Sequence, residues 1–233
     1  MAEPKFIHLR VHTAYSLSEG AMKVPALVKK LSEMNVPAFA MTDTANMFGG
    51  KAVSSFASSA GIKPILGCQF YLRNPDADDV LKSKGRIIEP DIIVLLVMNA
   101  KGYDNIMHLM KKSYLDNPTA VEKPYLRIED LVDCNEGLIA LSGGVNGQIG
   151  RLILENRLDE AKEFSAKLKS VFKDRFYMEI SRLGIQSEQQ TEETFIDIAY
   201  EQNIPLVATN EAFFFDTDMF PVFIHALKPL ATK

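Results

Sequence analysis

Short β-type runs alternate with helical patterns seven times along this 233-residue chain, and that alternation narrows the fold further than any other feature of the sequence. The candidate strands are residues 6–10, 38–42, 64–72, 91–98, 138–141, 176–180 and 205–208. Most are apolar throughout, the pattern of parallel strands covered by helices on both faces. Helical spacing fills the gaps between them. Val24, Leu27, Val28, Leu31 and Met34 form one stripe after Glu19-Gly20, and Tyr103, Ile106, Met107, Met110 and Tyr114 form another after Lys101-Gly102. Leu158, Ala161, Phe164, Leu168 and Phe172 make a third, while Thr194, Ile196, Ile198 and Ala199 lie in a helix that closes before Asn203-Ile204-Pro205. Each stripe reads as core, not as a cofactor site.

Repeated β-α units with right-handed crossovers give either an open doubly wound sheet or a closed barrel. Periodicity alone does not choose between them. No GxGxxG follows the first strand and no GxxxxGK[ST] occurs anywhere, so the dinucleotide and P-loop versions of the open sheet lack their marker. That tilts the expectation toward an α/β barrel formed as one domain over residues 1–233. The longest loops, 73–90 with Asn74-Pro75-Asp76-Ala77-Asp78-Asp79 and 116–124, are polar with proline and read as surface excursions.

Composition removes several function classes. The longest apolar run, Ile92-Ile93-Val94-Leu95-Leu96-Val97-Met98, is too short to cross a bilayer, and the first residues show no secretory pattern. A cytoplasmic protein with no membrane partner is expected. Cys68 and Cys134 stand far apart without metal-type spacing and read as buried free thiols. A net charge of −4 argues against a domain whose main task is to hold a phosphate backbone. The basic clusters Lys29-Lys30, Lys82/Lys84/Arg86 and Lys111-Lys112 read as solvated surface.

In a β/α barrel, chemistry collects where strands end at their C-terminal side. The first candidate strand runs into His8-Leu9-Arg10-Val11-His12, the second into Thr42-Asp43-Thr44-Ala45-Asn46, the third carries Gln69, and the seventh leads to Thr209-Asn210-Glu211-Ala212-Phe213. A hydrolytic multinuclear metal site needs many His, Asp, Glu or Cys side chains. With four histidines, of which His108 and His225 read as partly buried or surface residues on or near helical stretches, the chain offers too few. Strand alternation places positions 8, 10 and 12 on one face, so Arg10 sits between the only two closely spaced histidines and its guanidinium would repel a cation there. Leu141-Ser142-Gly143-Gly144 lacks the GxSxG of a nucleophile turn, and Ser142 reads as a loop residue.

Three segments in order, Phe6-Ile7-His8-Leu9-Arg10-Val11-His12-Thr13-Ala14-Tyr15-Ser16, Met41-Thr42-Asp43-Thr44-Ala45-Asn46-Met47-Phe48-Gly49 and Gly61-Ile62-Lys63-Pro64-Ile65-Leu66-Gly67, resemble successive motifs of the polymerase-and-histidinol-phosphatase (PHP) domains of bacterial DNA polymerase III alpha subunits. Gly102-Tyr103-Asp104-Asn105, 137–143, Phe176-Tyr177-Met178-Glu179 and 205–212 follow in the family's order, so the resemblance covers nearly the whole chain. It implies a distorted seven-stranded (β/α)7 barrel of PHP type, forming the N-terminal part of a much longer polymerase whose catalytic carboxylates lie elsewhere. It also implies ligand positions. The first histidine of the family's HxH is Arg10, and His12 stands at the second. The acid of the next loop is Glu19, the histidine after the Thr-Asp pair is Thr44 with Asp43 retained, and the third-strand glutamate is Gln69. The fourth-strand histidine falls at Ile92, the ligand after Leu-Ser-Gly is Gly144, and the Asp-x-His pair becomes Glu211 and Phe213.

The resemblance therefore implies a degraded metal site, with no catalytic residue and no cofactor expected, and zinc or manganese on His12, Glu19 and Glu211 as the alternative. It further implies a structural and docking module for the proofreading exonuclease (epsilon) subunit and for the rest of the alpha subunit, reaching DNA only through the holoenzyme. The rival reading is a residual metal-dependent phosphoesterase, 3′–5′ exonuclease or pyrophosphatase. Arg10, beside His12, Glu19, Asp43 and Glu211, is expected to supply the positive charge that metals supply in the family.

Overall fold

A computed structural model of the chain describes residues 6–78, 89–116 and 123–215. The chain forms two compact units, Met1–Cys68 with Thr209–Lys233 and Gln69–Ala208. In the first, strands β1 (Arg10–Val11), β2 (Ala38–Met41) and β3 (Lys63–Leu72), the last of which runs on into the second unit, lie parallel and in order. The returning strand β9 (Glu211–Ala212) pairs with β1 in parallel, Arg10 opposite Glu211 and Val11 opposite Ala212. Helices α1 (Val24–Glu33) and α2 (Gly50–Ser59) cover this sheet. Pro25 sits in the first turn of α1, where its missing N–H costs no hydrogen bond. Asn35 at φ 53 ends the helix in the left-handed region, and the Val36 N–H closes back on Leu31 O. Leu27, Leu31, Phe39, Met41 and Val53 interlock with Ala57 as one core, each of the five larger side chains worth roughly 1.5–3 kcal/mol by burial.

The second unit holds β4 (Asp91–Val97), α3 (Ala100–Leu115), β5 (Tyr125–Leu126), α4 (Ile128–Asp133), β6 (Leu138–Leu141), α5 (Gln148–Leu154), α6 (Leu158–Phe172), β7 (Phe176–Ile180), α7 (Gln186–Glu201) and β8 (Leu206–Ala208). Strands β6, β7 and β8 are parallel neighbours, and β5 pairs with the end of β3. Strand β4, however, runs antiparallel to β6. Between them the chain passes through α3 and the short β5, so it enters β6 at the end where it left β4; the Met98 N–H donates to Gly137 O at 2.9 Å. An all-parallel reading of the apolar strands is thus corrected, because a fully apolar strand is compatible with either direction once both its faces are covered.

Six of the seven candidate strands appear within a residue or so of their expected bounds; the first is shorter, beginning at Arg10. Strands β5 and β9 were not anticipated, since two residues carry no alternation. The stripe on α3 also needs correction. Its buried face is Gly102, Asn105, Ile106, Leu109 and Ser113, while Tyr103, Met107 and Tyr114 are exposed. Leu158, too, is exposed, as is Met34. Of the two loops expected as surface excursions, residues 79–88 and 117–122 lie outside the described residues; at the start of the first, Pro75–Asp78 forms a 3-10 turn with Pro75 exposed but Asn74 and Asp76 buried. Asp76 is held there by Arg151 and Arg157. Cys68 and Cys134 are buried free thiols. Lys29, Lys30 and Lys111 are exposed, and Lys112 reaches Asp130 at 2.6 Å. His108 is exposed on α3; Asp79, Lys82, Lys84, Arg86 and His225 lie outside the described residues.

Candidate functional site

Arg10 opens β1 and His12 follows directly after that strand, and both reach Glu211, which β9 sets directly opposite Arg10. Arg10 Nη2 donates to Glu211 Oε1 at 2.6 Å, and His12 Nε2 lies 2.9 Å from the same oxygen. Neither is a surface contact: Arg10 is 5 % exposed and His12 fully buried. On its other edge, His12 Nδ1 is 3.2 Å from Ser16 Oγ and 3.8 Å from Glu19 Oε2. Ser16 and Thr44 both donate their hydroxyls to Glu19 Oε2, at 2.8 and 2.5 Å, and the Thr44 N–H donates to Ser16 Oγ at 3.0 Å. The His12 ring stacks on Phe213, centroids 4.4 Å apart and planes inclined by 20°. Arg10, His12, Glu19, Thr44, Glu211 and Phe213 are thereby brought into one cluster of the first unit.

Asp43 stands behind that cluster and is not joined to Arg10. Its two oxygens accept the Thr13 N–H at 2.6 Å and the Thr13 hydroxyl at 2.8 Å. Burial pushes its carboxyl above the usual range, against the pull of the two Thr13 bonds and of nearby His12. The loops that carry the cluster are fastened by Asn46, whose amide donates to Tyr15 O and Thr44 O and whose oxygen accepts the Phe48 N–H. Gly20 is required where it stands, because a Cβ there would fall 1.9 Å from Thr13 O.

Gln69, Ile92 and Gly144 belong to the second unit. Gln69 is buried in β3. Ile92 lies near the start of β4, not its end, yet it meets the loop that follows β6: a Cβ on Gly143 would lie 2.5 Å from Ile92 O. The antiparallel course of β4 produces this meeting, so the rule that sites gather at C-terminal strand ends fails for this strand. In the same place Glu179, 1 % exposed, accepts the Gly143 N–H, and Ser142 Oγ accepts the Glu179 N–H at 2.9 Å. Ser142 is a loop residue fixed to backbone. Glu179, Thr13 and Ser16 were not assigned a role from sequence; only Glu179 left a trace, as the one acid within an otherwise uncharged strand.

Chemically, the first-unit cluster is a set of acids and bases already matched to one another. Ser16, His12 and Glu211 follow the order of a nucleophile, base and acid. Ser16 is fully buried, however, and gives its hydrogen to Glu19, which leaves it no role as a nucleophile. As metal donors the residues fit poorly. Glu211 Oε1 is engaged by a guanidinium, Glu19 Oε2 by two hydroxyls, and both Asp43 oxygens by Thr13. Among the described residues no three His, Cys, Asp or Glu side chains converge as ligands.

Comparison with known proteins agrees with this geometry in outline. The PHP domain family model matches residues 8–183. The DNA polymerase III alpha subunits of Vibrio cholerae, Caulobacter vibrioides and Escherichia coli are 36%, 37% and 34% identical over 94%, 90% and 94% of this chain. The chain spans 18% of the length of each of these relatives. Among solved structures, an amidohydrolase from Chromobacterium violaceum with bound sulfate and no metal superposes with a TM-score of 0.53 at 13% identity, covering 94% of this chain and 96% of that one. A protein from Bifidobacterium adolescentis, assigned as a metal-dependent phosphoesterase, also gives 0.53, at 12% identity over 96% and 98% of the two chains. At such identities these two likenesses speak to the α/β fold alone.

Proposed function

The chain belongs to the PHP domain family, homologous to the N-terminal region of the DNA polymerase III alpha subunit, and from that premise we propose that it is a non-hydrolytic PHP module of such a polymerase. The observation that carries the reading is the Arg10 guanidinium 2.6 Å from Glu211 Oε1, a buried cation where the family's first metal ligand belongs. One protein cation replaces bound ones. A guanidinium at that place opposes a second positive charge by Coulomb repulsion in a poorly screened interior. The other changes act in the same direction, since Thr44, Gln69, Ile92, Gly144 and Phe213 offer no charged donor.

In this reading the domain supports the rest of the alpha subunit and offers a docking surface for the proofreading exonuclease (epsilon) subunit. It meets DNA only through the cytoplasmic holoenzyme. No helix among the described residues is long and apolar enough to cross a membrane. Metal analysis after equilibration with zinc or manganese tests the reading, and well under one ion per chain is expected. Stoichiometric metal together with phosphatase or 3′–5′ exonuclease activity that His12→Ala abolishes would establish the rival instead. Co-purification with the exonuclease subunit tests the docking part, and its absence with the full-length polymerase would remove that part alone.

A further inference from the structure

We infer that the Arg10–His12 cluster is a clasp that fastens the chain's own returning segment, Glu211–Phe213, onto the first unit. It rests on the reading above only in taking Arg10 as a resident cation. Strand β9 has two residues, too few for ladder hydrogen bonds alone to hold it. The segment is nevertheless gripped at every position. Glu211 gives its carboxylate to Arg10 and His12, the Ala212 carbonyl accepts the His12 N–H at 2.9 Å, and the Phe213 carbonyl accepts the Ala21 N–H at 2.9 Å. Phe213 adds its ring, laid on the imidazole of His12.

His12 is the centre of this arrangement. Its backbone, its Nε2 and its ring face each hold a different residue of the returning segment, and Ser16 steadies its far edge. Positions that would present donors to a metal in a hydrolytic relative are here turned inward on the polypeptide. The clasp fixes the returning segment against β1 within the first unit. Its loss is expected to free that segment while leaving β2 and the helices in place, because Leu27, Phe39, Met41 and Val53 are buried in one cluster to which the segment Glu211–Phe213 adds only Ala212, and that from its margin.

Hydrogen exchange on the whole chain tests this. Arg10→Met removes the cation at similar length, Phe213→Ala removes the stack without touching charge, and Arg10→Lys is the conservative control. Exchange at His12, Ala21 and residues 209–215 should quicken about ten-fold or more in the first two variants and less in Arg10→Lys, with β2 and β7 at wild-type rates. Unchanged exchange at His12 and Ala21 in both variants would overturn the clasp. So would acceleration that is uniform through β2, since it would make these residues ordinary core. Metal content is not read in this experiment, so a metal-binding result would overturn the preceding reading without deciding this one.

Discussion

Arg10 shows how much one residue can redirect an inherited site. A buried guanidinium is costly unless matched, and here the match is Glu211, itself 15% exposed at its side chain. Arg10→Ala would remove the guanidinium from Glu211, and the expected loss is about 3–5 kcal/mol in chemical denaturation, typical of breaking a buried pair from one side. Stability unchanged within error would mean that the pair is screened and unimportant. Sequence made Arg10 visible because an arginine between two histidines is incompatible with a cation site. It did not make Asp43's role visible. The expectation joined Asp43 to the charge cluster, whereas both its oxygens serve Thr13, a residue whose hydroxyl and N–H carried no sequence signal at all.

Helix α3 illustrates what periodicity does and does not give at the scale of an element. The helix was legible, but Tyr103, Met107 and Tyr114 are exposed and the core is formed one step around the cylinder, through Ile106 and Leu109. Small residues fixed that rotation. Gly102 lets the Gly137 carbonyl approach so closely that a Cβ would stand 1.9 Å from it, and Asn105 donates to Glu136 O at 2.8 Å. Gly102→Ala should therefore cost roughly 1–3 kcal/mol by overpacking, despite alanine's better helix propensity; a stabilised variant in thermal melts would refute this. At the start of β4, Asp91 is bound by Arg151 at 2.8 and 3.1 Å, yet burial pushes its carboxyl above the usual range while Arg151 is held above its own. Both shifts are upward, which disfavours the charged carboxylate but favours the charged guanidinium; Asp91 is the more deeply buried partner, so desolvation outweighs pairing for it alone. A carboxyl raised on folding binds its proton more tightly in the folded state, so its cost is complete above the raised value and falls away as pH drops through it. Relative to Asp91→Asn, the wild-type protein should gain stability on acidification in that window, and a flat or opposite difference in denaturation midpoints would contradict the assignment.

For the whole molecule, the α/β class, the place of the seven candidate strands and of α1, α3, α6 and α7, the lack of nucleotide-binding motifs, and the residue types now standing at the family's ligand positions were legible in the chain alone. These are local properties. Apolar period, turn residues and side-chain chemistry are written within a few residues of one another, and burial enforces them wherever the segment packs. Tertiary structure alone decided that β4 runs against β6, that Ile92 meets the Gly143 loop from the start of its strand, and that a two-residue strand completes the first unit. It also decided Arg10's partner. Glu211 lies 201 residues along the chain from Arg10, and nothing in local periodicity encodes a pairing across that distance. Such a contact exists only because the folded backbone places two short strands side by side in register, where a buried charge meets an opposite one.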